Sequence, residues 1–167
     1  MDAYLAVVSK REVRRYDDRP LPDDAVRRIL EAGRLAGSSR NRQLRRFVVL
    51  SDREAAAATV HMPSNVLGAA LVVAIVTGRK GPVAFDAGRA AQNMMLAASN
   101  EGIGSCPNGI ADADALAALA GASDDEQIAI VLTFGYPARP VDPSSRPAEE
   151  WIARADRAPL DDVVEFR

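Results

Sequence analysis

"FDAGRAAQNMMLAASNEGIGSC", residues 85–106, decides how the rest of the chain is arranged. From Asp86 to Gly102 nearly every turn carries Ala, Gly, Ser or Met, and Gly102 supplies the stop signal of a helix C-terminus. A long helix with so little polar surface is expected to be buried all round, in the core or against another subunit. It needs an apolar layer to lie on. The flanking sequence supplies one: "AALVVAIVTG" (69–78) reads as a strand apolar on both faces, hence central, and "EQIAIVLTFGYP" (126–137) as a second long strand.

Working outward, residues 2–8 form a short helix, and "PLPDDAVRRILEAGRLAG" (20–37) forms a stronger one. In the latter, Pro22 starts the helix, Asp23 and Asp24 fill the first turn, and Val26, Ile29, Leu30 and Gly33 recur at helical spacing. "RRFVVLSD" (45–52) is a strand whose Asp52 caps a helix over Ala55–Ala58. "GSCPNGI" (104–110) is a short extended segment or loop, "DADALAALAG" (112–121) a capped helix and "AEEWIARAD" (148–156) the last helix. "APLDDVVEFR" (158–167) is expected to be extended, with Val163, Val164 and Phe166 uncovered by their own chain. Strands separated by helices indicate an α/β or α+β sheet protein. No repeat or linker divides residues 1–167, which are expected to form a single domain.

Composition excludes several classes. The chain has 167 residues, a net charge of −2 and 5% aromatic residues, a poor match for nucleic-acid binding. One cysteine, Cys106, forbids an internal disulfide, and one histidine, His61, cannot build a zinc cluster with it. A leader-like n-region is missing and the longest apolar run, 66–78, is too short for a bilayer. The expectation is therefore a cytoplasmic protein with no membrane or metal. "GIGSCPNG" (102–109) lacks the third glycine of a dinucleotide fingerprint and follows a helix rather than a strand, so it is not one. No phosphate-binding P-loop and no nucleophile elbow are present. Chemistry carried by a bound cofactor is left.

Charge is uneven. Residues 1–46 hold twelve of the 21 Lys and Arg but seven of the 23 Asp and Glu, which suggests an anion site in the first third. Within it lies "KREVRRY" (10–16).

Four segments in order resemble the FMN-dependent nitroreductase family. "KREVRRY" is similar to its R-R-S-x-R-x-F opening, and "AGSSRNRQLRRFVVLSD" (36–52) to its S-S-x-N-x-Q-P-W segment. Residues 85–106 are similar to its D-x-G-x-x-x-Q-N helix, and "IVLTFGYP" (130–137) with "DRAPLDDVV" (156–164) to its G-Y-P strand end and R-x-P-L tail. The resemblance implies an α+β nitroreductase-like fold, a mixed central β-sheet flanked by helices, in a homodimer that exchanges C-terminal tails. It implies bound FMN, NAD(P)H as co-substrate, and ping-pong electron transfer to a small quinone or nitroaromatic acceptor. No side chain is then catalytic in itself, because the flavin carries the chemistry.

The resemblance also carries roles to residues. Lys10 and Arg11 would meet the phosphate and ribityl end, with Glu12 beside them; Arg14 would meet the pyrimidine edge and Arg157 the phosphate. Ser38, Ser39, Asn41 and Gln43 would reach the flavin across the dimer interface, and the loop that begins at Pro107 would offer the backbone N–H of Asn108 or Gly109 to N5. Arg15 and Arg19 are expected to stay solvated, Cys106 to be an inert buried group, and Asn93 to be a buried amide. Three departures stand out. Glu12 replaces a serine and must turn away to pair with Arg15 or another cation; Leu44-Arg45 replaces Pro-Trp; and only residues 79–83 join the second strand to the long helix, which implies an open flavin face. Two alternatives stay open from the residues alone: a flavin-binding store or sensor without turnover, and an anion- or nucleic-acid-binding domain.

Overall fold

The computed structural model describes residues 2–167. In chain order its elements are α1 (Ala3–Ser9), α2 (Asp23–Arg34), β1 (Arg45–Val49), α3 (Arg53–Ala58), α4 (Pro63–Leu67), β2 (Leu71–Gly78), α5 (Val83–Asn100), β3 (Gly104–Asn108), α6 (Ala113–Leu119), β4 (Glu126–Gly135) and α7 (Ala148–Ala153). Three 3-10 turns fall at Ser39–Asn41, Pro143–Ser145 and Leu160–Asp162.

The four strands form one sheet in the order β1-β2-β4-β3, with every ladder antiparallel. The parallel component expected of a mixed sheet is confined to an isolated bridge between Glu12 and Ser105 at the β3 edge. β2 is central and apolar on both faces for a clear reason. Val73 and Ile75, with Leu132 and Phe134 of β4, pack beneath α2 and α5. Val72, Ala74 and Val76, with Val131, pack against α3, α4 and α6. Each such side chain, taken fully out of water, contributes about 1.5–3 kcal/mol before the cost of ordering it. The two faces together make the core.

Local signals behave as the sequence indicates at several ends. The Asp52 carboxylate accepts from the Ala55 N–H at 2.9 Å, and Asp112 accepts from Ala115 at 3.0 Å, so both cap their helices. Pro22 precedes the first helical residue of α2 rather than opening it.

α5 is buried on one side, through Val83, Asp86, Ala87, Ala90, Ala91, Met94, Met95 and Ala98, while Phe85, Gly88, Arg89, Gln92 and Asn93 form an exposed face. Two expectations need correction. Asn93 lies on that open face, and its amide donates to the Ala32 carbonyl at 3.4 Å. The tail is not simply extended, since Leu160–Asp162 closes a 3-10 turn behind Pro159. α4 has no counterpart in the sequence reading.

Residues 12–17 lie along the β3–β4 side of the sheet. The Val13 N–H donates to the Ser105 carbonyl at 2.9 Å and the Asp17 N–H to Tyr136 at 2.8 Å. Two paired glycines, Gly104 and Gly135, make the approach possible. A Cβ on Gly104 would stand 2.6 Å from the Val13 Cβ, and one on Gly135 would stand 2.9 Å from the Tyr16 ring. Gly104→Ala is therefore expected to destabilise the fold by about 1–3 kcal/mol through overpacking. Urea unfolding reads this as a lower midpoint at unchanged slope.

Candidate functional site

The docked segment brings part of the candidate set together. The parallel bridge sets Glu12 opposite Ser105, and Arg14 comes close enough to Cys106 to act on its thiol. Lys10, at the C-terminal end of α1, donates from Nζ to Glu12 Oε1 at 2.6 Å and lies 3.4 Å from the Met95 sulfur of α5. Its side chain is only 7% exposed, whereas that of Glu12 is 37% exposed. Glu12 thus has its cation, and the partner is Lys10 rather than Arg15.

Arg11 turns the other way. Its guanidinium donates to the carbonyls of Val8 at 2.7 Å, Lys10 at 2.9 Å and Trp151 at 2.6 Å, and it stacks 5.7 Å from the Trp151 ring centre. It ties α1 to α7 and lines a cavity of about 130 Å³ with Val13, Gly104 and Val141. Arg14 differs from both: it is exposed and has no carboxylate partner among the described residues. Arg19 pairs with Asp17 at 2.7 Å and covers the Tyr136 ring at the surface.

Pro107 and Asn108 are the last residues of β3, and Gly109 leads out of it. Pro107 and Gly109 are exposed while Asn108 is buried. The Asn108 carboxamide is fully engaged: its oxygen accepts from Asn65 Nδ2 at 2.9 Å, and its nitrogen donates to the Cys106 carbonyl at 3.0 Å and to Thr133 Oγ1 at 3.2 Å. The backbone at this strand end is left to meet a ligand. The Gly109 carbonyl accepts from the His61 N–H at 3.0 Å, and the Gly109 N–H has no acceptor among the described residues. Burial pushes the Cys106 thiol above its ordinary range, with Arg14 opposing, so it is a protonated, inert group.

The second candidate group lies elsewhere. Ser38, Ser39 and Asn41 belong to the connection between α2 and β1, where Arg40, Asn41 and Gln43 all adopt φ of 53°. Three non-glycine residues in the left-handed region need outside support. Ser38 Oγ accepts from the Gln43 N–H at 2.9 Å, and the Ser39 N–H donates to buried Asp86 of α5 at 3.1 Å. Arg89 packs on Gly37, where a Cβ would come within 2.6 Å of its guanidinium. This loop therefore rides on the first half of α5, while Lys10 touches Met95 in the second half. Nine residues of helix separate those anchors, roughly 13 Å along the axis. Arg157 is exposed in the tail and donates to the Ala155 carbonyl at 2.8 Å. The chain thus gathers Lys10, Glu12 and Arg14 along β3, the strand that ends in Pro107 and Asn108, and shows no contact of Ser38–Asn41 or Arg157 with them among the described residues.

Four residues around these groups escape sequence reading. Asn65 and Thr133 hold Asn108, and Asp86 and Arg89 brace the Ser38–Gln43 loop. A single amide in a five-residue helix and a threonine in an apolar strand give no pattern to find. Asp86 and Arg89 are visible only as helix residues.

Comparison with known proteins follows this geometry. The family model described as "Nitroreductase family" matches residues 7–72 and 78–136. A relative from Archaeoglobus fulgidus, named as an NADH dehydrogenase/NAD(P)H nitroreductase, is 32% identical over 144 residues, covering 78% of this chain and 83% of its own. A nitroreductase from Desulfovibrio desulfuricans, solved in complex with FMN, superposes with a TM-score of 0.81 at 28% identity, covering 100% of this chain and 98% of its own. A nitroreductase family protein from Clostridium difficile 630 gives 0.82 at 20% identity over 99% and 98%, a likeness of fold.

The Tyr16 phenol shares the edge with these groups. It contacts Thr133 Oγ1 at 3.0 Å, and burial raises its pKa well above the ordinary phenol value. A folded-state pKa above the unfolded one stabilises the protein at low pH and loses that contribution as pH climbs past about 10. Tyr16→Phe is expected to flatten the alkaline fall in stability. Thermal unfolding of both proteins across the alkaline range, with ultraviolet difference titration of tyrosinate, checks it.

Proposed function

The chain belongs to the nitroreductase family, and from that premise we propose an FMN-dependent oxidoreductase that carries electrons from NAD(P)H to a quinone- or nitroaromatic-type acceptor in a ping-pong cycle. One observation carries the reading: Arg14, a guanidinium without a carboxylate partner among the described residues, acts on the Cys106 thiol of β3, and the Gly109 N–H just past the end of that strand has no acceptor among them either. A free cation and a free backbone donor on one open edge fit a flat, electron-accepting ring whose heteroatom edge gains negative charge.

When bound, FMN supplies the hydride and electron transfer that no side chain of this chain can perform. Arg14 would face the pyrimidine edge and favour its charged, reduced form. Gly109, following Pro107 and Asn108, would offer its N–H to the ring. Lys10 would hold the phosphate and ribityl end, whereas Arg11, whose guanidinium is taken up by three carbonyls and the Trp151 ring, would support that end by fixing α1 rather than by binding phosphate. Lys10 already has a counter-ion, so Glu12, which is partly exposed, must swing aside before that ammonium can pair with phosphate. The Arg79–Pro82 connection between β2 and α5 is entirely exposed and raises no wall over the ring, so flat acceptors of several shapes can stack there.

We further infer a homodimer of single-domain chains in which Ser38, Ser39, Asn41 and Arg157 of one protomer complete the site of its partner. Support comes from surfaces that one chain leaves uncovered. Glu126–Ile130 of β4 pair only with β2, because β3 reaches no further than Val131. A groove beside that free stretch is lined by Ala84, Gly88, Ala91, Gln127 and Ala129. Val163 and Phe166 of the tail are 66% and 97% exposed. A tail strand laid into the groove of a second copy covers all three.

The purified protein is expected to show flavin absorption and to oxidise NAD(P)H with menadione or a nitrofuran, giving parallel double-reciprocal lines. Arg14→Gln is expected to lower kcat/KM roughly a hundredfold while leaving the fold intact, the size of effect seen when a charge-stabilising donor is lost. Yellow protein without turnover would instead favour a flavin store, a reading that the Lys10–Glu12 pair supports by weakening the phosphate site. Colourless protein that takes up no FMN would overturn both. Sedimentation of a truncation ending at Ala158 is expected to show a weakened dimer.

A further inference from the structure

A buried chain of polar side chains joins the two segments of the flavin edge, and the cofactor reading leaves it without a task. Asn65 of α4, Asn108 of β3 and Thr133 of β4 are 4%, 3% and 0% exposed. Asn65 donates to the Asn108 carboxamide oxygen at 2.9 Å. The Asn108 amide nitrogen donates to the Cys106 carbonyl at 3.0 Å, to Thr133 Oγ1 at 3.2 Å and, more weakly, to the Val131 carbonyl at 3.4 Å. Thr133 donates its one hydroxyl proton to the Cys106 carbonyl at 3.2 Å. The Tyr16 phenol, which burial keeps neutral, reaches the same threonine, with its oxygen 3.0 Å from Thr133 Oγ1 and its hydroxyl within 3.3 Å of the Thr133 carbonyl.

The orientation of the Asn108 carboxamide is fixed. The Cys106 and Val131 carbonyls can only accept, so the Asn108 nitrogen has to face them and its oxygen has to face α4. Residue 65 therefore needs a donor; a carboxylate there would set its oxygens against the Asn108 carboxamide oxygen.

The effect reaches the next peptide. The Asn108 side chain is clamped by four groups, which holds the backbone on one side of the Asn108–Gly109 peptide. On the other side the Gly109 carbonyl is held by the His61 N–H at 3.0 Å, and the His61 ring leaves only 3.0 Å to where a Cβ on Gly109 would stand. Between the two anchors sits the N–H that has no acceptor. A donor aimed in advance at a place where negative charge will develop is worth more than a mobile one.

We propose that Asn65 is a positioning residue: through the Asn108 carboxamide it sets the direction of the Gly109 N–H, and with it the electron affinity of the flavin at this edge. The proposal rests on the FMN reading above. A network that merely satisfies buried polar groups would alter stability and nothing else.

The test uses the full chain with FMN bound, in Asn65→Asp, Asn65→Ser, Thr133→Val and Thr133→Ser forms. The reduction potential of bound FMN is measured against reference dyes. The Gly109 amide resonance is recorded in isotope-labelled, flavin-free protein. Asn65→Asp, Asn65→Ser and Thr133→Val are expected to shift the potential to more negative values and to move the Gly109 resonance. Flavin reduction should slow roughly tenfold at unchanged KM for the nicotinamide, less than for outright loss of a donor. Thr133→Ser, which keeps the hydroxyl, is expected to retain the wild-type potential and resonance. An unchanged potential and resonance in folded Asn65 variants would overturn the proposal, whatever happens to Tm. Should the Asn65 variants fail to fold, the Thr133→Val and Thr133→Ser pair makes the same comparison. Should the wild-type chain bind no FMN, the cofactor reading falls with the role in electron affinity, and the amide resonance alone decides whether Asn65 orients Gly109.

Discussion

Two missing side chains, at Gly104 and Gly135, allow the segment 12–17 to press against the sheet, and the site depends on that contact. The two residues pair across β3 and β4, so the bare patch they form is continuous. Val13 fills one half and the Tyr16 ring the other. Backbone hydrogen bonds to Ser105 and Tyr136 then fix the register of the segment, and with it the position of Glu12 and Arg14 beside the end of β3. Any side chain at residue 104 would lift the whole run, since real Cβ atoms do not approach to 2.6 Å. The cations of the first third are organised by packing before electrostatics acts on them.

Once docked, the cations take unequal roles, decided by what each finds nearby. Lys10 finds a carboxylate two residues away and loses most of its exposure. Arg11 finds three carbonyls and an aromatic face, and works as a strut between α1 and α7. Arg14 finds none of these and keeps its charge available. A cluster that looks uniform in sequence is a set of different devices, which is the usual outcome when arginines compete for acceptors at close range.

The elements that sequence made legible are those with strong, repeated signals. β2 announces itself by eight apolar or small residues, and α3 and α6 by an aspartate three residues before a free N–H. α4 escapes because five residues are too few to show a period, so Asn65 goes unnoticed with it. The left-handed conformations of Arg40 and Gln43 escape because neither residue type favours them; the loop is imposed by Asp86 and Ser38 rather than by its own preferences. The sequence of α5 does not say which of its sides faces the sheet, because small residues line the buried and the exposed side alike. Glu12 was legible as a carboxylate in need of a cation, but its choice of Lys10 over Arg15 depends on how α1 ends.

The exposed connection Arg79–Pro82 runs from the end of the central strand straight into α5, and none of its four residues is buried. Added chain at that point would meet no packed interior, so extra length there costs little beyond loop closure. On the function proposed above, selectivity toward the molecule being reduced could drift by insertion and deletion at this rim, while the residues anchored in the sheet and its glycines stay as they are.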